Sequence, residues 1–124
     1  MQQSTRHAIA DYGLIGDTRT AALVSSDGAI DWMCVPSFDG DPIFGQLVGG
    51  TEAGTFRVGP VTQRTPAVRR YRPLTATVET TWHTDTGRLT LTEGMVAEPA
   101  GRLLPVSLLV RRLTAEGGPV RAST

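Results

Sequence analysis

Two short apolar runs near the start of the chain predict a β-hairpin. They cover residues 20–25 and 29–35 and lie on either side of a Ser26-Asp27-Gly28 turn. An Asp-Gly pair between apolar runs favours a tight loop, because glycine adopts a positive φ without steric cost. A two-residue loop at Asp27-Gly28 predicts the following register: Leu23 opposite Trp32, Ala22 opposite Met33, and Val24 opposite Asp31.

After this hairpin the strand pattern breaks, because several prolines and glycines would interrupt a sheet. Asp41 followed by Pro42 is typical of a helix start, with an N-cap residue and a proline in the first turn. Gly49 suits the end of such a helix. We therefore predict one short helix near residues 42–48.

The clearest period-two alternation of apolar and polar residues lies between residues 74 and 84. Its threonines favour a strand, because β-branched side chains fit a sheet better than a helix. Residues 85–87 turn the chain, and residues 88–96 return. A loop closed by Thr84 and Leu89 predicts the following register, with Glu93 facing inward: Trp82 opposite Leu91, Thr80 opposite Glu93, and Val78 opposite Met95.

The remaining segments complete an all-β pattern. Residues 68–72 alternate with charged positions and predict an edge strand, whereas residues 59–66 predict a loop. Residues 103–113 are apolar on both faces and predict a strand that is covered on both sides. A last strand begins at residue 120 and is cut short at residue 124. We therefore expect residues 1–124 to form a single antiparallel β-sandwich domain.

Composition narrows the range of partners. The 12 basic and 12 acidic residues balance to a net charge of zero, so a nucleic-acid partner is not expected. The one cysteine, Cys34, excludes an internal disulfide and is expected in the core. The N-terminus lacks the apolar stretch of a signal peptide, and no apolar run is long enough to cross a membrane. The expected location is the cytoplasm.

Few residues have the pattern of a reactive site, and we assign no catalytic residue, no metal site and no cofactor. Glu93 is the best acid, since burial would raise its pKa. A bulge at Gly94 could turn it outward, or an arginine could pair with it. The Asp39-Gly40-Asp41 stretch lacks the other ligands of a calcium loop. His7 and His83 are isolated from Cys34, so a zinc site is not expected.

Several short motifs resemble the start of bacterial glycoside hydrolase family 15 proteins, the glucoamylase-like and trehalase-like enzymes. They are ADYGLIGDTRTAALVSSDGAIDWMCVPSFD, GTFRVGP, RRYRP and LTEGM, in that order. The resemblance implies the family's trehalase-like N-terminal domain, a supersandwich-like β-sandwich that packs against a helical catalytic barrel. In the family that barrel carries two catalytic glutamates, which have no counterpart in this chain. We therefore expect a non-catalytic domain of an inverting enzyme that cleaves α-glucosidic bonds in glucans or trehalose.

The resemblance also suggests that the end of the first hairpin faces the barrel. Trp32, Phe38 and Asp39 lie there and are the candidate substrate-rim or domain-interface residues, because sugar rings stack on aromatic side chains. The alternative is that Trp32 and Phe38 pack the core and the domain interface. A stand-alone carbohydrate-binding sandwich that takes an α-glucan or trehalose is the second functional hypothesis.

Overall fold

The computed structural model describes residues 7–96 and 107–124, and it confirms an all-β, antiparallel architecture. Two sheets pack against each other, and a two-stranded ribbon lies beside them. The strands are β1 Gly13–Gly16, β2 Ala21–Val24, β3 Ala29–Val35, β4 Asp41–Phe44, β5 Phe56–Arg57, β6 Gly59–Pro60, β7 Val68–Tyr71, β8 Val78–His83, β9 Arg88–Val96, β10 Leu108–Glu116 and β11 Ala122–Ser123. One helix, α1, covers Gln46–Gly49, and 3-10 turns cover Ile9–Asp11 and Thr51–Ala53.

The first sheet is built on β3. β2 pairs with one side of β3 and β1 pairs with β2, whereas β4 and β5 share the other side of β3. The second sheet has the strand order β10-β9-β8-β7, and β11 pairs with β6 in the ribbon. β6 lies in a stretch predicted to be a loop, so that prediction was wrong at its first two residues.

The core between the sheets consists of two apolar clusters. The larger one combines side chains from the first sheet with Val78 of the second. The smaller one surrounds Trp82, which is fully buried and donates from its indole nitrogen to the Ser26 carbonyl over 3.1 Å. Cys34 is buried, as predicted, and unpaired. Between the clusters the inward face of the second sheet carries a buried polar layer that includes Thr80 and Glu93.

The first hairpin has the predicted register over most of its length. Ala22 pairs with Met33 and Leu23 with Trp32. The prediction was wrong for Val24, which pairs with Ile30 because the register shifts at this point. Asp31 is therefore the extra residue of a β-bulge, which an alternation pattern alone does not reveal.

The helix prediction was right about one short helix but wrong about its start. Residues 41–44 form β4, whose Asp41 pairs with Val35 of β3. The helix begins later, at Gln46, and ends at Gly49. Pairing with β3 satisfies the backbone of this segment, and that pairing outweighs the local preference for a helix.

In the second hairpin the predicted faces are right from Val78 onward, residues 74–77 lie before the strand, and the register is wrong by two residues. Trp82 pairs with Leu89, Thr80 with Leu91 and Val78 with Glu93. The loop covers residues 84–87 and is closed by a Thr84 amide that donates to the Gly87 carbonyl. A shift of two residues keeps every side chain on its face, so the hydrophobic pattern could not distinguish the two registers.

Of the two predictions for the outer strands of the second sheet, one was correct and one was wrong. β7 is an edge strand, as predicted. β10 was predicted to be covered on both sides, but the described part of that segment lies at the opposite edge of the sheet. Apart from the buried Arg111 side chain, the residues of β10 are half-buried or exposed. Residues 103–106 of the predicted strand lie outside the described residues. The last strand begins at Ala122, two residues later than predicted.

Candidate functional site

Phe38 and Asp39 lie in the loop that joins β3 to β4. The Phe38 amide donates to the Arg19 carbonyl over 3.0 Å, which holds this loop beside the β1–β2 connection. The Phe38 side chain is 63% exposed. The Ser37 hydroxyl donates to the Asp39 carboxylate, and this hydrogen bond lowers the pKa of Asp39. The loop therefore presents an apolar ring and a charged carboxylate to solvent.

Trp32 lies in the middle of β3, on the face of the first sheet that points away from the core. It pairs with Leu23, which pairs in turn with Leu14 on β1. Trp32 and Leu23 are half-buried, and Leu14 is 53% exposed. These three residues form an apolar strip across three neighbouring strands. Such a strip is suited to contact another apolar surface.

The structure does not join the three candidate residues into one cluster. Within residues 7–96 and 107–124, no hydrogen bond or ring contact connects Trp32 with Phe38 or Asp39. Among the described residues, Trp32 belongs to neither core cluster. The candidate site therefore consists of two surfaces: the Phe38–Asp39 loop and the Leu14–Leu23–Trp32 strip.

Glu93 points inward, as predicted, and pairs with an arginine, which was one of the alternatives. It is 0% exposed, and its Oε2 accepts from Arg111 Nε over 2.9 Å. Burial raises the pKa of Glu93, and the charge of Arg111 opposes that rise. Glu93 Oε1 and Thr80 Oγ1 are buried and have no hydrogen-bond partner among the described residues.

Arg111 is the residue that sequence reasoning missed. It lies on β10 directly opposite Glu93 and reaches across to the first sheet. There its guanidinium donates to the carbonyls of Phe56 and Gly28 and lies 4.8 Å from the centre of the Phe56 ring. The sequence signal was available: Arg111 has the same parity in its strand as the apolar Leu109 and Leu113. An inward cation opposite an inward acid indicates a buried ion pair.

The other buried carboxylates also have structural partners. Asp31, at the bulge, accepts from the Tyr12 hydroxyl over 2.6 Å and from the Thr55 hydroxyl over 2.7 Å. Burial and this hydrogen bond raise the pKa of Tyr12. Asp17 accepts from the amides of Arg19 and Thr20, which closes the β1–β2 turn.

Glu79 faces outward on the second sheet and binds two arginines. Its oxygens accept from Arg72 Nε over 2.5 Å and from Arg70 Nε over 3.0 Å. These bonds, first that from Arg72 and then that from Arg70, lower the pKa of Glu79. Each buried acid in the described ranges is thus held by donors of the same domain, in an arrangement that stabilises the fold.

The histidines and the cysteine lie apart. His83 is exposed on β8, and His7 lies 3.4 Å from Asp27. Among residues 7–96 and 107–124, no group of three or more His, Cys, Asp or Glu side chains could hold a metal ion. No helix of these ranges combines the length and the apolar character needed to cross a membrane.

The fold and these surfaces define an all-β sandwich domain with exposed apolar side chains and internally paired acids. Residues 2–104 match the family model described as "Trehalase-like, N-terminal". The chain therefore belongs to the family of trehalase-like N-terminal domains.

Curated relatives with the name trehalase are much longer than this chain. A trehalase of Mycolicibacterium smegmatis is 44% identical over 91 residues, which is 73% of this chain and 14% of that protein. One from Mycobacterium tuberculosis is 41% identical over 88 residues, 71% of this chain and 13% of that protein. One from Thermoplasma volcanium is 39% identical over 49 residues, 40% of this chain and 8% of that protein. No solved structure matched the chain.

Proposed function

We propose that this chain is the non-catalytic N-terminal domain of a cytoplasmic, trehalase-type glycoside hydrolase. The observation that carries the proposal is the match to trehalases of which the chain spans only 14% and 13%. The substrate would be trehalose or another α-glucoside. The catalytic acid and base would lie in the remaining part of the longer protein, in a helical barrel. Hydrolysis there would invert the configuration of the anomeric carbon. Such a pair needs two carboxylates about 6.5–9.5 Å apart, with room for a water molecule.

The geometry of the acids supports this division of roles. Glu93 is closed off from solvent and bound to Arg111, and Glu79 is bound to two arginines. A general acid or base must reach the proton that it transfers. Carboxylates that are saturated by arginines or buried in the core suit a scaffold better than a catalytic centre.

The two candidate surfaces receive distinct roles in this proposal. The Leu14–Leu23–Trp32 strip would pack against the catalytic domain, because an exposed apolar strip gains most from burial against another apolar surface. The Phe38–Asp39 loop would lie at the rim of the substrate pocket, where an aromatic ring can stack on a sugar and a carboxylate can accept from its hydroxyls.

The test is a chimera in which this chain replaces the matched N-terminal region of the Mycolicibacterium smegmatis trehalase. We expect the chimera to hydrolyse trehalose or maltodextrin, and the isolated chain to hydrolyse neither. A matched chimera carries Trp32→Asp, which should undock the domain and lower the thermal midpoint. Hydrolysis by the isolated chain that is lost in Glu93→Gln would overturn the proposal.

The exposed Phe38 ring beside Asp39 favours one alternative, a stand-alone module that binds α-glucan or trehalose. This alternative predicts that the isolated chain binds maltodextrin or trehalose in a calorimetric titration. Phe38→Ala should abolish that binding without unfolding the chain. If the isolated chain releases or absorbs no heat with either sugar, the domain role is favoured.

A further inference from the structure

β10 is exposed in a way that is unusual for an edge strand. It is nine residues long, and apolar side chains are exposed on both of its faces. Leu108 and Val110 are 51% and 45% exposed on the outer face, and Leu113 is 39% exposed on the inner face. The first part of β10, residues 108–110, therefore has apolar side chains on both faces, like a strand from the middle of a sheet, whereas Arg112, Thr114 and Glu116 lie on the outer face of its second part.

The free side of the β10 backbone has no partner in the described ranges. β10 pairs only with β9, so its alternate amides and carbonyls point away from the sheet. Such a row of unpaired groups is a template for another strand unless the protein protects it. A missing strand would therefore satisfy the backbone and help to cover the apolar side chains.

The opposite edge of the same sheet is less than half as long as β10. β7 has only four residues, and two of them are arginines. Pro66 and Pro73 flank it closely and cannot donate to a neighbouring strand. Short length, charge and proline are devices that keep an edge unpaired. β10 carries charge as well, in two arginines and a glutamate, but its nine residues offer a longer row of free backbone groups. β10 is thus the edge better suited to accept another strand.

We propose that β10 accepts an added β-strand from the part of the longer protein that lies outside this domain. This inference rests on the proposed function, in which most of the polypeptide lies outside the matched region. The added strand would carry apolar residues on both faces. It would also carry an acid opposite Arg112, which has no acidic partner among the described residues.

Charge argues against a second copy of this chain as the occupant. If β10 paired antiparallel with itself about its central residue, Arg112 would lie opposite Arg112 of the second copy. Like charges directly opposite each other destabilise a strand pair. A strand of different sequence avoids this repulsion, so the edge favours a segment of the same longer polypeptide.

The test compares amide hydrogen exchange in the isolated chain and in the chimera with the Mycolicibacterium smegmatis trehalase. We expect peptides from β10 to exchange about tenfold more slowly in the chimera, because the added strand bonds their free amides. Peptides from β7 should exchange at the same rate in both proteins. A chimera that hydrolyses its substrate while β10 exchanges as fast as in the isolated chain would refute the inference and leave the proposed function standing.

Matched substitutions strengthen the test. Val110 and Val68 lie on the outer face of the two opposite edge strands and are 45% and 62% exposed, so both variants should fold. Val110→Asp should remove the slow exchange of β10 in the chimera, and Val68→Asp should not. Equal effects of the two variants would contradict a specific role for the β10 edge. Protection of β10 that rises with the concentration of the isolated chain would assign the edge to a second copy instead.

Discussion

Single residues decide what the polar layer of the core contributes. Glu93 and Arg111 are both nearly inaccessible, with side-chain exposures of 0% and 6%. Removing either charge from water is costly, and the pair offsets this cost only while both partners are present. Arg111 also donates to two carbonyls of the first sheet, so the same side chain links the two layers.

Arg111→Leu should therefore be strongly destabilising at neutral pH. We expect a loss of about 3–5 kcal/mol in the free energy of unfolding, because Glu93 would stay buried without its cation. Urea denaturation measures this loss. Arg112→Leu is the matched control and should change stability by less than about 0.5 kcal/mol, because Arg112 lies next to Arg111 but is exposed. Similar losses in the two variants would show that the buried ion pair contributes no more to stability than the exposed Arg112 does.

The Arg111→Leu result can be checked with a double variant. If the loss comes from an unpaired buried acid, then adding Glu93→Gln should recover part of the stability. If the double variant is as unstable as the two single variants combined, the two residues act independently and the explanation fails.

Glu79 gives a prediction for pH. Its folded-state pKa is lowered from 4.5 by Arg72 and Arg70. A lowered carboxyl pKa contributes stability that is present above the unfolded pKa and is lost as the pH falls through the folded pKa. Glu79→Gln should thus be less stable than the unchanged chain at pH 7, and the difference should shrink below about pH 4.5.

Urea unfolding at a series of pH values from neutral to acidic tests the Glu79 prediction. Glu52→Gln is the control, because Glu52 is exposed on a short turn and forms none of the ion pairs seen in the described ranges. A stability difference for Glu79→Gln that stays constant across the series would mean that the two arginines do not act on its ionisation.

At the scale of elements, the first hairpin depends on a close approach at its turn. Gly28 has a φ of +84°, and a Cβ at this position would overlap the Val58 carbonyl oxygen. The Gly28 carbonyl accepts from the Val58 amide over 3.0 Å and also from Arg111. The turn is therefore the point where the hairpin, the segment after β5 and β10 meet.

Gly28→Ala should cost about 2–5 kcal/mol of stability, from the strained φ and the overlap together. Gly50→Ala is a matched control, since Gly50 has a φ of +74° but no atom within 4 Å of an added Cβ. It should cost about 1–3 kcal/mol, from the backbone alone, because a φ of +74° with a ψ of −170° is a conformation that essentially only glycine adopts. Thermal or urea unfolding measures both variants. Equal costs would mean that the contact with Val58 is unimportant.

At the scale of the whole molecule, the outer faces of the two sheets differ in character. The first sheet presents the apolar strip of Leu14, Leu23 and Trp32. The second presents threonines and arginines, with Glu79 bound between Arg70 and Arg72. Apolar surface favours contact with another domain, and charged surface favours water, so the two faces of the sandwich are suited to different surroundings.

Phe38→Ala tests whether the exposed loop is an interface in the longer protein. In the isolated chain the change in the free energy of unfolding should stay within about 0.5 kcal/mol, because the ring is exposed. In the chimera the same substitution should lower the thermal midpoint, because a contact with the remaining protein is lost. Val48→Ala, at a side chain that is 73% exposed on α1, should be neutral in both proteins. A neutral Phe38→Ala in the chimera would remove the loop from the interface.

Much of the fold followed from the alternation of apolar and polar residues. That pattern predicted the all-β class, the first hairpin, the inward face of Glu93 and the β7 edge, because side chains of a strand alternate between two faces. The resemblance to a known family, rather than this alternation, named Trp32, Phe38 and Asp39 from a short stretch of sequence. The sequence could not show that Trp32 and the Phe38–Asp39 loop lie on separate surfaces. Residues that are close in sequence can point in different directions once the strand and the loop after it have folded.

Tertiary structure decided what local pattern leaves open. The bulge at Asp31, the start of the helix and the two-residue shift opposite Trp82 all depend on how neighbouring strands pair and on what the paired strands pack against. A two-residue shift leaves every face unchanged, so only packing can select the register. Whether β10 lies at the centre or at the edge of its sheet likewise depends on which strands lie beside it. The sequence determined which residues are apolar and how they alternate along each strand. The assembled sheets determined which residues these side chains contact.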